Sequence, residues 1–340
     1  MENNLSICII THNSHGLLND MKVYKKIFKK NGYAVTTMIG DDINVDKKYD
    51  KVLYLERIHN ANNASEQIFT PNYELFNDIV NLKKIDTVLC KTQICYEYFN
   101  YLKEEHKMKY KTIYTKFTTY IPKEIRKIEI NKDPNLFVLL AGSSPYKNVA
   151  HLIYNWLYND CYLQYNPDLK LVITCRTVCY NTMVKIFNKY FQKKIPEKFK
   201  HNKYLIEYKN IKFYNKLISD KEYNNLLVNA SVAICISSKE GYGHYINEAR
   251  YFNTYVITLD YPPMNELIND KIGVLVKGYD KVEHELDFTK YKIYNVYPKD
   301  EELKKGIIKC IKNNITIKSR KYFIRDKKYL YKTITDYLQS

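Results

Sequence analysis

The sequence predicts an α/β protein built from two doubly wound lobes, and three observations carry that prediction. Short apolar runs alternate with amphipathic stretches along most of the 340 residues, as parallel strands joined by helices do. The runs are nearly continuous in apolar residues, which suits strands covered on both faces. The series runs twice, before and after residues 119–135, a segment with Pro122, Pro134, many charges and little apolar periodicity.

In the first series, residues 5–10 read as a strand and Thr11-His12-Asn13-Ser14-His15-Gly16 as a polar loop. Asn19 or Asp20 then caps a helix to about Lys30, with Val23, Ile27 and Phe28 on its apolar face. Asn31-Gly32 ends it. Strands are predicted at 33–39, 52–55, 87–90 and 111–118, with a helix through Phe99 and Leu102. The second series opens on the strand 136–140. Helix 151–157, strand 169–174, helix 183–191, strand 211–213 and helix 220–228 follow, then strands 232–236, 255–259 and 273–276. Pro298-Lys299-Asp300-Glu301-Glu302 marks a further helix start, with acids at the positive end of the dipole. Residues 319–338 read as a final basic helix. The predicted domains are 1–125 and 126–318, with 319–340 packed back on the first. Ligands of open parallel sheets bind beyond the carboxyl ends of the strands, so a cleft between facing lobes is the expected site.

A net charge of +17 suggests nucleic acid. Only Arg57, Arg126, Arg176, Arg250, Arg320 and Arg325 among the 54 basic residues are arginine, however. Lysine is a poor substitute for bidentate readout, and no recognised nucleic-acid motif appears. No specific nucleic-acid partner is expected; the charge allows a weak peripheral association with an anionic membrane surface. The apolar stretch near Met1 is too short for a signal peptide and no later run approaches a membrane span, so a cytoplasmic protein is expected. The eight cysteines show no zinc spacing, the nearest pairs being Cys90/Cys95 and Cys175/Cys179, and are read as reduced thiols.

The most informative stretch is Glu240-Gly241-Tyr242-Gly243-His244-Tyr245-Ile246-Asn247-Glu248, between two apolar strand runs. The order is strand, glycine turn, helix, strand. A helix start of this kind offers free backbone N–H groups and a positive dipole end, a site for an anion. Gly241 and Gly243 allow positive φ and close approach of a ligand. Glu240 precedes the helix and Glu248 lies about one turn inside it, so two carboxylates flank the anion site. A hydroxyl-rich ligand carrying a diphosphate suits that arrangement.

With these residues in view, the chain resembles the retaining GT-B glycosyltransferases of family 4, with their two-glutamate (E-x7-E) motif. The resemblance covers most of the second lobe. It rests on the block Gly142-Ser143-Ser144-Pro145-Tyr146-Lys147-Asn148, on Leu217-Ile218-Ser219-Asp220-Lys221-Glu222-Tyr223, and on Glu240 to Glu248 followed by Pro262-Pro263-Met264-Asn265-Glu266-Leu267. It implies a GT-B-like pair of Rossmann-like lobes, the first taking the acceptor and the second a nucleotide-sugar donor. By position, Lys147 would meet the donor diphosphate, Glu248 the ribose hydroxyls and Glu240 the sugar hydroxyls. The amides of Gly241, Tyr242, Gly243 and His244 would approach sugar and phosphate. Gly142, Ser143, Ser144, Asn148 and Leu217 complete the implied donor site. The family places an Arg where this chain has Ser143; Arg176 is the candidate replacement. His15, after the first strand, is a candidate sugar or acceptor contact, and Glu266 is either a helix cap or a ligand.

The resemblance implies transfer of a hexose, with a UDP-sugar as first choice of donor, to a hydroxyl on a glycan, protein or small molecule. Retention of configuration and no metal or other cofactor are expected, with Lys147, Glu240 and His15 as the catalytic candidates. A non-catalytic basic binding module and an inactive glycosyltransferase-like protein remain as alternatives.

Overall fold

The computed structural model describes residues 5–40, 48–59, 64–142, 144–159, 161–175, 180–192, 199–216, 218–285, 292–312 and 317–340. They form two compact units, Met1–Tyr120 with Val282–Ile293 and Tyr322–Ser340, and Ile121–Lys281 with Tyr294–Lys321.

The first unit runs β1 (Ser6–Thr11), α1 (His15–Lys30), β2 (Ala34–Ile39), β3 (Tyr49–Leu55), β4 (Ala64–Thr70), α2 (Ile79–Leu82), β5 (Thr87–Cys90), α3 (Gln93–Glu105) and β6 (Lys111–Tyr114). Its six-stranded sheet has the order β2-β1-β3-β4-β5-β6, and every pair is parallel. Ile7, Cys8, Ile9 and Ile10 are fully buried because β1 is covered on both faces. The chain first winds from β1 to β2 and then resumes on β1's other side with β3. The strand order therefore reverses between β1 and β3.

The second unit contains α4 (Lys123–Arg126), β7 (Asp133–Gly142), α5 (Val149–Tyr158), α6 (Cys161–Tyr165), β8 (Lys170–Cys175), α7 (Tyr180–Tyr190), β9 (Lys200–Asn202), β10 (Leu205–Tyr208) and β11 (Ile211–Tyr214). It continues with α8 (Asp220–Asn229), β12 (Ala230–Cys235), α9 (His244–Tyr251), β13 (Tyr255–Leu259), α10 (Met264–Leu267) and β14 (Gly273–Val276). Its eight-stranded sheet has the order β14-β13-β12-β7-β8-β11-β10-β9. Here the order reverses between β7 and β12. The chain closes with the two-stranded ribbon β15 (Gly278–Glu285) and β16 (Lys292–Pro298), then α11 (Asp300–Lys312) and α12 (Arg320–Gln339). In α12, Phe323, Leu330, Ile334 and Tyr337 are buried, and the Tyr337 hydroxyl donates to the Glu66 carboxylate of β4.

The α/β architecture with two doubly wound sheets follows the sequence prediction, with several corrections. The helix α1 starts at His15, one turn before Asn19, because extended Ser14 caps it by accepting from Leu17 N (3.4 Å). Only His12 to Ser14 remains as loop. The expected linker 119–135 already holds α4 and the start of β7. The strand β4 escapes prediction because its first half, Ala64-Ser65-Glu66-Gln67, is polar and only Ile68, Phe69 and Thr70 are buried. The second sheet is not wholly parallel: β10 pairs antiparallel with both β11 and β9, making a polar edge that apolar periodicity does not reveal. The predicted strand 111–118 ends at Tyr114. No helix among the described residues is long and apolar enough to cross a membrane.

Candidate functional site

Adjacent strands β7 and β12 bring two distant segments together at their carboxyl ends, beside the reversal of strand order where open sheets bind ligands. After β7, Pro145–Lys147 makes one 3-10 turn, capped by Ser144, which accepts from Tyr146 N (3.4 Å). Asn148 follows in the left-handed region at φ +53°. Two groups of hydrogen bonds pin this turn to the segment after β12. Ser238 N and Oγ both donate to Tyr146 O (2.7 and 3.3 Å), and Asn148 Nδ2 donates to Ile236 O (2.7 Å).

The turn thereby delivers Lys147 to Glu240, 93 residues away, and Lys147 Nζ donates to Glu240 Oε1. Ser237 Oγ donates to the same oxygen (2.7 Å). The Tyr245 hydroxyl meets Ser237 Oγ at 2.5 Å, and the Lys147 ammonium lies 3.7 Å from the centroid of the Tyr245 ring. Lys147 and Glu240 retain 12% and 13% of their side-chain exposure, so the pair is shielded yet reachable.

Gly243 starts α9. Its φ of +98° is costly for any L side chain, and a Cβ there would meet Ile246 Cδ1 at 3.2 Å and Leu267 Cδ1 at 3.3 Å. Ile246 N and Asn247 N both donate to Gly243 O (3.1 and 3.2 Å), so the positive end of the helix dipole falls on the turn after Glu240. Positive φ occurs at Gly243 and at Gly142 (+61°), and not at Gly241 as the sequence suggested. Space is open around Gly142, where a Cβ would meet nothing within 4 Å. Tyr242 is buried and its ring meets His244 edge-on at 5.2 Å.

Burial pushes the Glu248 carboxyl up to about 7, against the opposing pull of His244 and Lys147. Tyr223 of α8 is driven far above its ordinary range by burial and then by Glu248. Burial, reinforced by Glu240, does the same to Tyr245, which stays a neutral hydroxyl donor. Two carboxylates thus face one ammonium, one firmly paired and the other held near its titration point. No group of three or more His, Cys, Asp or Glu able to hold a metal occurs among the described residues.

Of the residues expected from sequence, Gly142, Ser144, Lys147, Asn148, Glu240, Gly241, Tyr242, Gly243, His244 and Glu248 belong to these two strand-end segments and the helix they open into. Ser143, Arg176 and Leu217 lie outside the described residues. His15 is in the first unit, exposed, as the first residue of α1. Glu266 lies within α10, with Pro263 at the cap position.

Sequence reasoning missed Ser237, Tyr223 and Tyr245 in the second unit. Ser237 was findable as the polar residue after β12, three before Glu240; a tyrosine among 35 carries no signal by itself. It also missed a polar cluster at the strand ends of the first unit. There Lys91 Nζ donates to Asp20 Oδ2 (2.9 Å) and Asn72 Oδ1 (2.5 Å), and Asn72 Nδ2 donates to Glu56 Oε2 (2.8 Å). His12 Nε2 stands 3.9 Å from Glu56 Oε1, and Glu56 is left-handed at φ +69°.

Residues 121–291, half of the chain, match the family described as glycosyl transferases group 1. Among solved structures, a glycosyltransferase from Rickettsia africae is 13% identical at a TM-score of 0.58, over 97% of this chain and 94% of that one. Trehalose-6-phosphate from E. coli bound with UDP-2-fluoro glucose aligns at a TM-score of 0.62 and 10% identity, over 97% and 98%. A lipopolysaccharide outer core galactosyltransferase aligns at 0.62 and 9% identity, over 99% and 100%. No curated protein sequence matches significantly. The structural likenesses establish a GT-B fold, and with half its length in the family match the chain belongs to the glycosyl transferases group 1 family.

Proposed function

We propose that the chain moves a hexose from a nucleoside-diphosphate sugar, with UDP as the nucleotide, to a hydroxyl acceptor with retention and without a metal, in the manner of family 4. The observation that carries this reading is the arrival of Lys147 beside Glu240 at the positive end of α9, with Glu248 one turn further on.

Breaking a sugar–phosphate bond produces an oxocarbenium-like sugar and a diphosphate leaving group. Fixed positive charge at that leaving group is commonly the largest single term in such catalysis. Lys147 and the amides from Gly241 to His244 supply it here, with no bond to a metal required. An incoming diphosphate takes Lys147 over from Glu240, whose carboxylate then accepts from sugar hydroxyls. Glu248, when ionised, accepts from the ribose hydroxyls in charge-assisted bonds. Gly142, Ser144 and Asn148 shape the loop over the donor, Ser143 and Leu217 complete the donor set by their place in the motifs, and Arg176 is the candidate replacement for the family arginine absent at Ser143. His15 in the first unit contacts the acceptor, a hydroxyl on a glycan, protein or small molecule. The UDP-2-fluoro glucose bound to the E. coli neighbour supports UDP as the nucleotide.

Melting the protein against a panel of nucleotide sugars tests the reading, since a ligand of the native state raises stability with the logarithm of its concentration over Kd. A UDP-sugar is expected to give the largest rise. Indifference to every nucleoside-diphosphate sugar would overturn the proposal. Release of free UDP from the donor without acceptor then separates an enzyme from a binding module or an inactive homologue.

A further inference from the structure

We infer that Tyr245 positions Lys147: its ring and its hydroxyl together hold the ammonium and Glu240 in register at the start of α9. The inference rests on the donor-site reading above and assigns a residue that the reading does not use.

Tyr245 is the second residue of α9, so its side chain leaves the helix beside the turn that presents Glu240. The Lys147 ammonium lies 3.7 Å from the ring centroid, well within the reach of a cation–π contact, about 6 Å. The Ser237 hydroxyl has one proton and gives it to Glu240 Oε1 (2.7 Å). The proton shared between Ser237 and Tyr245 (2.5 Å) therefore comes from Tyr245. Tyr245 donates to Ser237, Ser237 donates to Glu240, Lys147 donates to Glu240, and Lys147 rests on the ring of Tyr245. The four side chains close on themselves.

This closure matters because lysine is a compact charge on a flexible stem. A carboxylate alone fixes the ammonium only while it remains the partner. In the proposed reaction Glu240 turns to the sugar hydroxyls. The ring contact does not depend on Glu240, so the ammonium stays at the helix start as the diphosphate arrives. A neutral ring suits this task, since it adds no negative charge to compete with the phosphate. An aliphatic side chain at 245 would fill space but leave the ammonium untethered. Tyr245 touches Lys147 rather than a reacting atom, which makes it a positioning residue.

The test compares the full chain with Tyr245→Leu and Tyr245→Phe in three readouts. The first is the ring-current shift on the Lys147 side-chain methylenes by NMR, which needs no donor. It is expected upfield in the wild type, retained in Tyr245→Phe and lost in Tyr245→Leu; its absence from the wild type overturns the inference. The second is turnover of a UDP-sugar. Tyr245→Leu is expected to lower kcat about three- to thirty-fold, the range of one cation–π contact, and Tyr245→Phe to recover the larger part of that loss. Tyr245→Phe is also expected to raise the donor KM, because Ser237 loses the donor that orients it toward Glu240. Equal losses in both variants would mean that the ring does nothing specific. The third is Tyr245→Leu in a Lys147→Ala background, where no further fall in kcat is expected; an undiminished fall contradicts the inference. A wild type that shows the NMR shift yet binds no UDP refutes the donor reading and leaves the positioning role standing.

Discussion

The two units each gather a cation and carboxylates at the carboxyl ends of parallel strands, beside the reversal of strand order, yet they treat charge in opposite ways. In the first unit Lys91 and Asp20 are 2% and 1% exposed and paired at 2.9 Å, with Asn72 relaying the pair to Glu56. In the second, Lys147 and Glu240 keep about an eighth of their exposure, and burial lifts Glu248 to about 7 against the pull of His244 and Lys147. A fully buried pair, tied through Asn72 to a further carboxylate, holds structure. A part-open pair with a surplus carboxylate at a helix start can change partners. Position at a strand end nominates a site; unspent hydrogen-bonding and charge capacity select between sites.

The largest expected effect breaks the comparison at its stronger pair. Lys91→Ala removes the cation paired with Asp20 in the core and should cost about 3–5 kcal/mol in denaturant unfolding, while Lys147→Ala, at a pair that solvent still reaches, should cost less, about 1–2 kcal/mol. Comparable losses in the two variants would erase the distinction between structural and functional pairs. Next, Lys147→Ala should lower donor turnover about 10²–10³-fold, the effect of removing one preorganised charge donor, as read by UDP release. Undiminished release would take Lys147 out of the mechanism.

A smaller effect concerns pH. The Glu248 carboxyl has a raised value in the fold, about 7 against an ordinary 4.5. Between those values the native state holds a proton that the unfolded chain has released, so its contribution to stability falls as pH rises and stays lost above 7. Glu248→Gln should therefore stabilise the protein at pH 8 by up to about 3 kcal/mol, with little change at pH 4.5. It should weaken UDP binding at the same time, and wild-type affinity should itself fall from pH 8 to pH 6 as the acceptor carboxylate is protonated. Melting curves and titrations at three pH values check both signs. The smallest effect is Asn72→Ala, which removes the relay between Lys91 and Glu56 and should cost about 1 kcal/mol. A loss as large as that of Lys91→Ala would show that the relay, and not the ion pair, carries the cluster.

The same contrast explains what could be read from the chain. The second site is compact in sequence: strand, Gly243, helix and two glutamates fall between Ala230 and Tyr251, and local chemistry dictates each part. Lys147 carries no local signal among so many lysines, and only the resemblance of its block, Gly142 to Asn148, to the glycosyltransferase motif singles it out. The first cluster draws Asp20, Glu56, Asn72 and Lys91 from four separate segments, each bland where it stands. Only the parallel order β1-β3-β4-β5 brings them together. Likewise β4 and β9 lack the apolar run that announces a strand, since pairing and not burial holds much of their length. The start of α1 was misplaced for a local reason: Ser14 outcompeted Asn19 and Asp20 as cap, and both of those are buried inside the helix.

A crystal structure of the protein with UDP tests the central claim most directly. The diphosphate is expected against Lys147 Nζ and the amides between Gly241 and His244, with the ribose hydroxyls on Glu248. A nucleotide bound elsewhere, with Lys147 still held by Glu240 and Tyr245, would contradict it.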